Sequence, residues 1–230
     1  MQQTDVRCVG FIMDGNRRFA KEQGLPTIIG HKRGGEVFEQ SIEWVQSAGI
    51  SHAVYYAFST ENWKRNAVEV GYLMDLFREL LESFTNKAEK KASTIRVRIV
   101  GRRSDFAPDL QVQMKEIEAI GQETSAKVTT IWIALSYGGR AEIVEAVNQA
   151  ITHGDVATEE SFEKLLWTAE MPDPDIIIRT GGEHRLSNFM TWKSVYSEFF
   201  FLNKHWPALT RDDFEGILMQ YGERERRKGA

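Results

Sequence analysis

Apolar residues follow two rhythms along this chain. Short runs dense in β-branched and aromatic side chains, "VRCVGFIM", "HAVYYAF", "IRVRIVG", "VTTIWIAL" and "PDIIIRT", begin at residues 6, 52, 95, 128 and 174 and predict five strands. Several hardly alternate with polar residues, as strands covered on both faces do, whereas "IRVRIVG" alternates and predicts a more exposed position. Between the strands the period lengthens. Val37, Phe38, Ser41, Ile42 and Val45 share one helical face that ends near Gly49, and Val70, Leu73, Met74, Phe77, Leu80, Leu81 and Phe84 form a longer, bulkier stripe. Helical spacing returns after "YGGR" through Ile143, Val144 and Val147, and again through Phe214, Ile217 and Leu218. Strands alternating with helices predict an α/β fold with an open, mostly parallel central sheet flanked by helices. No repeat, low-complexity tract or linker divides residues 1–230, so one domain is expected.

Composition narrows the partners. With 230 residues and 42% apolar content, the chain can bury a sizeable core. Its 29 basic and 33 acidic residues leave a net charge of -4, which argues against nucleic acid as a partner and makes any anion binding local. A single cysteine, Cys8, sits in the first apolar run and reads as a small core residue in a reducing compartment. No apolar run reaches the length of a membrane span, and "MQQTDVRCVGF" lacks the regions of a signal peptide, so a cytoplasmic protein is expected.

In open parallel sheets, ligands bind beyond the carboxyl ends of the strands, and four strand ends here are rich in arginine. The first run ends in "DGNRR", the second in "FSTENWKR", the fourth in "SYGGR" and the fifth in "RTGGEHRLSN". Together they supply Arg17, Arg18, Arg65, Arg140, Arg179 and Arg185 around Asp14. Guanidinium groups match phosphate oxygens, and Gly15, Gly181 and Gly182 let backbone amides approach an anion. One carboxylate among phosphate-binding groups is the usual protein share of a Mg²⁺ site, which points to Asp14. Blander readings stand beside these. Single arginines at loop ends are often solvated, His31 after Gly30 can cap the helix that follows, Trp63 can be core, and the stripe from Val70 to Phe84 can be core alone. Neither the G-x-x-x-x-G-K-[ST] nor the G-x-G-x-x-G pattern occurs.

The ordered set "MDGNRRFA", "GHKRGGE", "YAFSTENWKR", "YGGR", "IIIRTGGEHRLSNFMTW", "SEFFF" and "RERRKG" resembles the cis-prenyltransferases, including undecaprenyl diphosphate synthases, from about Val6 to Gly229. The resemblance implies a homodimer of α/β subunits that extends an allylic diphosphate with isopentenyl diphosphate units, giving undecaprenyl diphosphate for a cell-wall lipid carrier or a shorter cis-polyprenyl product. It implies Mg²⁺ as cofactor, held by Asp14, with Glu198 a carboxylate associated with the metal and the subunit interface. It assigns catalysis to Asp14 and Asn62. Gly15, Asn16, Arg17, Arg18, Phe19 and His31 would surround the allylic diphosphate. Ser59, Thr60, Trp63 and Arg65 would position isopentenyl diphosphate, together with Arg179, Arg185 and Ser187. Arg227 and Gly229 match an element that reaches the partner subunit's site.

By the same resemblance, the product channel would be walled by Ala57 and by the stripe of Val70, Leu73, Met74, Phe77, Leu80, Leu81 and Phe84, and the lipid product would bring the enzyme to a membrane surface. Asp14, an Asn16 or Ser59 relay and the released diphosphate all remain open as the proton acceptor. Trans-prenyl synthases carry paired DDxxD motifs that this chain lacks, and the presence of Asp14, Arg18, Asn62, Trp63 and Arg179 argues against a non-catalytic partner subunit.

Three local departures from the family pattern carry expectations of their own. Family members commonly have proline where this chain has Asn66, and Asn66 with Glu69 forms a capping-box pattern that starts a helix at about residue 67. Many read glycine at the place of Arg17 and arginine at the place of Thr27, so Arg17 is expected to replace part of a missing charge.

Overall fold

The first apolar run forms β1 (Cys8–Ile12), and every residue in it is buried. The structure, a computed structural model, describes residues 5–90, 94–120, 128–154, 156 and 158–223. The other predicted runs become β2 (His52–Ser59), β3 (Ile95–Val100), β4 (Thr129–Tyr137) and β5 (Ile176–Arg179). A sixth strand, β6 (Glu198–Phe201), lies outside the five predicted. Its Glu-Phe-Phe-Phe sequence has no period of its own, and pairing with β5 makes it a strand. All pairings are parallel, in the order β3-β4-β2-β1-β5-β6. The alternating run β3 is an edge strand, as its pattern predicts.

Seven helices join these strands among the described residues: α1 (Asn16–Glu22), α2 (Thr27–Ser47), α3 (Ala67–Lys90), α4 (Pro108–Ala119), α5 (Gly139–His153), α6 (Glu159–Glu163) and α7 (Arg211–Gly222). Of these, α1, α4 and α6 were not expected. The helix α4 carries its own signal in the buried Leu110, Met114 and Ile117, which recur at helical spacing. The predicted start of α3 is correct: Asn66 Oδ1 accepts from the Val68 amide at 2.8 Å. The return half of the capping box takes another course, because the Glu69 carboxylate accepts from Arg65 Nη1 at 3.1 Å.

Alternate residues of the sheet serve two cores. Val9, Phe11, Tyr55 and Ile133 face α2, α3, α4 and α7, which contribute Phe38, Phe77, Leu110 and Phe214 to one cluster. Cys8, Ile12, Val54 and Trp132 face the opposite way, toward Met171, Phe189 and Met190. Cys8 is fully buried, as expected.

Where β1 ends, the packing is tight enough to require glycine. The helix α2 contains Gly30, Gly34 and Gly35 within "GHKRGGE", although glycine disfavours helix by roughly 1 kcal/mol relative to alanine. A Cβ on Gly30 would lie 2.1 Å from the Asn16 carbonyl oxygen, and one on Gly34 would lie 2.2 Å from Asn16 Oδ1. The first turn of α1 therefore rests on the backbone of α2, and this close approach outweighs helix propensity. Gly30→Ala is expected to destabilise the protein by about 1–3 kcal/mol despite alanine's better propensity, read as a lower urea midpoint; a rise in the midpoint would refute the close approach.

Candidate active site

Strand β1 lies where the chain connections diverge, toward β2 on one side and β5 on the other, the usual position of a ligand crevice in a parallel sheet. Two residues beyond its end stands Asp14. Its carbonyl accepts from Thr180 Oγ1 at 2.7 Å and from the Trp206 amide at 3.0 Å. Gly15 follows with φ 105°, and a Cβ there would meet His205 Nδ1 at 2.5 Å, so only glycine makes this turn. The chain then enters α1.

The Asp14 carboxylate accepts from Arg179 Nη2 at 2.8 Å and pairs with Arg18 Nη2 at 3.0 Å. Burial alone would raise its pKa, but the bond from Arg179 and the charge of Arg18 hold it below the usual carboxylate value. Asp14 is therefore ionised at neutral pH. Arg179, at the end of β5, is buried and also donates through Nη1 to Ser187 Oγ at 2.8 Å and to the Arg185 carbonyl. Arg18 reaches Glu183 at 3.5 Å as well.

Two polar cavities meet at Asp14. One, of about 760 Å³, is lined by Asp14, Gly15, Asn16, Arg17, Arg18, Lys21, Thr27, His31 and Arg65. The other, of about 520 Å³, is lined by Asp14, Asn16, His31, Ser59, Glu61, Asn62, Arg65, Arg179, Ser187 and Asn188. At the mouth of α3, Glu69 lies among three basic side chains: 3.1 Å from Arg65, 3.6 Å from His31 and 3.8 Å from Arg17. Burial and the Arg65 charge lower the His31 pKa against the opposing pull of Glu69, so the imidazole is neutral at neutral pH. His31 lies inside α2 and does not cap it.

A third cavity, of about 100 Å³, opens from the same place and is apolar. It lies between the sheet and helices α2 and α3, walled by Phe38, Ala57, Leu73, Leu76, Phe77, Leu80, Leu81 and Phe84. Six of the expected wall residues, Ala57, Leu73, Phe77, Leu80, Leu81 and Phe84, line it, whereas Val70 and Met74 do not. Met74 instead packs against the main core. Leu76 and Phe38 were not anticipated, because which side of a helical stripe meets a void depends on the neighbouring helix.

Other expected residues stand back from the polar cavities. Phe19 is buried beneath the Arg33 guanidinium, 5.6 Å from its ring centre. Thr60 abuts Gly138, where a Cβ would lie 2.7 Å from its hydroxyl. Trp63 packs on Phe58 and Phe106 and donates through Nε1 to Ser136 Oγ at 2.9 Å, so it buttresses the wall while remaining partly exposed. The Arg185 side chain turns to Glu183. Glu198 begins β6 opposite Ile176, three residues short of Arg179, which places it about 10 Å back along the sheet. It lines a separate cavity with Asp173 and Lys193. The expected pairing of Glu198 with Asp14 at one metal is therefore not met within one chain. Arg227 and Gly229 lie outside the described residues. Sequence reasoning missed Glu61, Glu69 and Asn188; only the acidic N3 position of Glu69 carried a signal.

This arrangement matches known proteins along the whole chain. The family model described as "Putative undecaprenyl diphosphate synthase" matches residues 12–229. An isoprenyl transferase of Thermotoga maritima is 43% identical over 226 residues, covering 96% of this chain and 95% of the relative. One from Listeria monocytogenes is 41% identical, covering 97% and 90%. Among solved structures, lavandulyl diphosphate synthase from Lavandula x intermedia, in complex with dimethylallyl diphosphate, superposes with a TM-score of 0.91 at 30% identity and 98% coverage of both chains. A probable undecaprenyl diphosphate synthase from Campylobacter jejuni superposes with a TM-score of 0.83 at 28% identity, covering 98% of this chain and 99% of that one. With its parallel sheet, its arginine-rich strand ends and these full-length matches, the chain belongs to the undecaprenyl diphosphate synthase and isoprenyl transferase family, the cis-prenyltransferases.

Proposed function

We propose that this isoprenyl transferase condenses isopentenyl diphosphate with an allylic diphosphate in the cavities that meet at Asp14, building a cis-polyprenyl diphosphate of undecaprenyl length. The observation that carries the reading is the junction itself: two cation-lined polar cavities and one apolar cavity share Met13, Asn16 and His31. The allylic diphosphate belongs in the cavity of Arg17, Arg18 and Arg65, and isopentenyl diphosphate in that of Arg179 and Ser187. The growing tail enters the apolar cavity.

In the reaction, the allylic carbon–oxygen bond breaks with its electron pair going to the diphosphate. The alkene of isopentenyl diphosphate then forms the new carbon–carbon bond, and loss of a proton leaves the new double bond. Guanidinium groups fixed before the reaction stabilise the charge that develops on the departing diphosphate. Apolar walls beside them keep water from the allylic cation. Asp14 is ionised and about a third exposed, while among the described residues no group of three acidic, histidine or cysteine side chains could hold a metal. That donor set fits Mg²⁺, which commonly takes one or two carboxylates and completes its shell with phosphate oxygens and water. Mg²⁺ held by Asp14 would supply further neutralisation of the leaving diphosphate. A homodimer belongs to this reading, with the β6 edge and the exposed Val195 and Tyr196 available to a second copy.

A shorter product is the second reading, favoured by one observation: about 100 Å³ of apolar space admits only a handful of methylene-sized groups. Incubation with farnesyl diphosphate, labelled isopentenyl diphosphate and Mg²⁺, followed by chromatography, tests both. Undecaprenyl-length product supports the first, shorter product the second, and no incorporation refutes transfer altogether.

Asp14→Asn keeps an acceptor for Arg179 and is expected to remain folded while losing most turnover, by about a hundredfold or more; turnover near wild type would exclude the assigned role. In the channel, Leu80→Trp is expected to shorten the product and Phe77→Ala to lengthen it, whereas Val70→Ala, away from the cavity, leaves its length unchanged. An unaltered distribution in the first two variants would make the stripe core alone. Arg17, 3.8 Å from Glu69, shares its cavity with Thr27, consistent with exchange of one cation for another. Arg17→Gly is expected to raise the allylic KM by about tenfold, and adding Thr27→Arg should recover much of the loss. A KM that stays constant, or no recovery, would exclude the exchange.

A further inference from the structure

Asn188 joins three segments that are far apart in the chain. Its Nδ2 donates to Glu61 Oε1 at 2.8 Å, on the short 3-10 turn that also carries Asn62. Its Oδ1 accepts from the Arg140 amide at 2.8 Å, and its carbonyl accepts from the Gly139 amide at 2.7 Å, at the start of α5. One residue earlier, the Ser187 hydroxyl accepts from Arg179, and the Ser187 carbonyl accepts from the Tyr56 hydroxyl at 3.3 Å.

The backbone reveals how closely this residue is specified. Ser187 and Asn188 have φ of 50° and 67°, in the left-handed region that asparagine tolerates better than most residues. A Cβ on Gly138 would lie 2.6 Å from Asn188 Nδ2, so the loop beneath must be glycine for the amide to fit. An amide is also the group the site needs. It donates to a carboxylate on one side and accepts from a backbone amide on the other, whereas a carboxylate in its place would repel Glu61.

We propose, on the basis of the transferase reading above, that Asn188 is a positioning residue that clasps the turn carrying Glu61 and Asn62 to the loop carrying Ser187, fixing the cavity for isopentenyl diphosphate. The two loops face the same cavity, and the bond from Asn188 to Glu61 ties them directly. Misplacement of binding groups by about 1 Å can cost up to about a hundredfold in rate. The clasp acts on the isopentenyl side of Asp14; the cavity of Arg17 and Arg18 does not include Asn188.

The test separates position from stability. Steady-state kinetics would give KM for each diphosphate and kcat, and calorimetry would give the Kd for isopentenyl diphosphate alone. Asn188→Asp sets two carboxylates against each other and is expected to raise the isopentenyl KM and Kd by about tenfold while the allylic KM stays within about twofold. Adding Glu61→Gln, whose amide can donate to the new carboxylate, is expected to recover most of the loss. Asn188→Gly keeps the left-handed backbone but removes both side-chain bonds, so it reads the same effect should the aspartate variant fail to fold. Isopentenyl KM and Kd unchanged in the folded variants, or a defect that Glu61→Gln does not relieve, would overturn the clasp. Wild-type protein that neither binds nor incorporates isopentenyl diphosphate would instead overturn the transferase reading, and the clasp with it.

Discussion

The charge pair between Asp14 and Arg179 is the constraint on which the site depends. Arg179 has only 4% of its side chain exposed, and a buried guanidinium without a partner costs several kcal/mol. Asp14 at 2.8 Å supplies the counter-charge, while Ser187 and the Arg185 carbonyl take the donors on the other side. The ends of β1 and β5 and the loop beyond β5 are therefore drawn to one point. Arg18 adds a second cation to the same carboxylate. Asp14, Glu183 and Glu69 thus pair with Arg179, Arg18, Arg65 and Arg17, the donors that the proposed reaction would offer to a diphosphate.

Close backbone packing makes that point reachable. Gly15 turns the chain over His205, and Gly30 and Gly34 let the first turn of α1 lie against α2. These glycines act by leaving space, and for Gly30 and Gly34, inside α2, helix propensity works against them. A side chain at any of them would push α1 outward and carry Asn16, Arg17 and Arg18 away from Asp14. Stability and binding geometry are coupled here through sterics.

A polar junction beside an apolar cavity also explains why the α2 and α3 pair is bulky yet not fully packed. Phe38 and Phe77 belong to the main core, while Leu80 on α3 faces Gly35 on α2 across a gap where a Cβ would meet it at 3.5 Å. The small residue on one helix opposite the large residue on the other sets the width of the space. Both readings of product length rest on how far that space extends between the two helices.

Runs of β-branched and aromatic residues marked five of the six strands among the described residues, and a 3.6-residue apolar period marked the helices α2, α3, α5 and α7, because burial on both faces removes the polar positions of a strand while burial on one face sets the period of a helix. Strand β6 and helix α6 are too short to carry a period, and α1 takes its place from the turn at Gly15. The chemistry was legible as arginines at strand ends, and Asp14, Arg18, Arg179 and Ser187 do converge. Sequence order could not show that Phe19 and Thr60 stand behind the cavities, that Val70 and Met74 turn from the void, or that Glu198 lies at the other end of β5 and β6. Those outcomes depend on register and on which helix packs opposite. Asn188 and Glu61 emerged only in three dimensions, since a clasp between residues 127 positions apart leaves no mark on the local pattern of either segment.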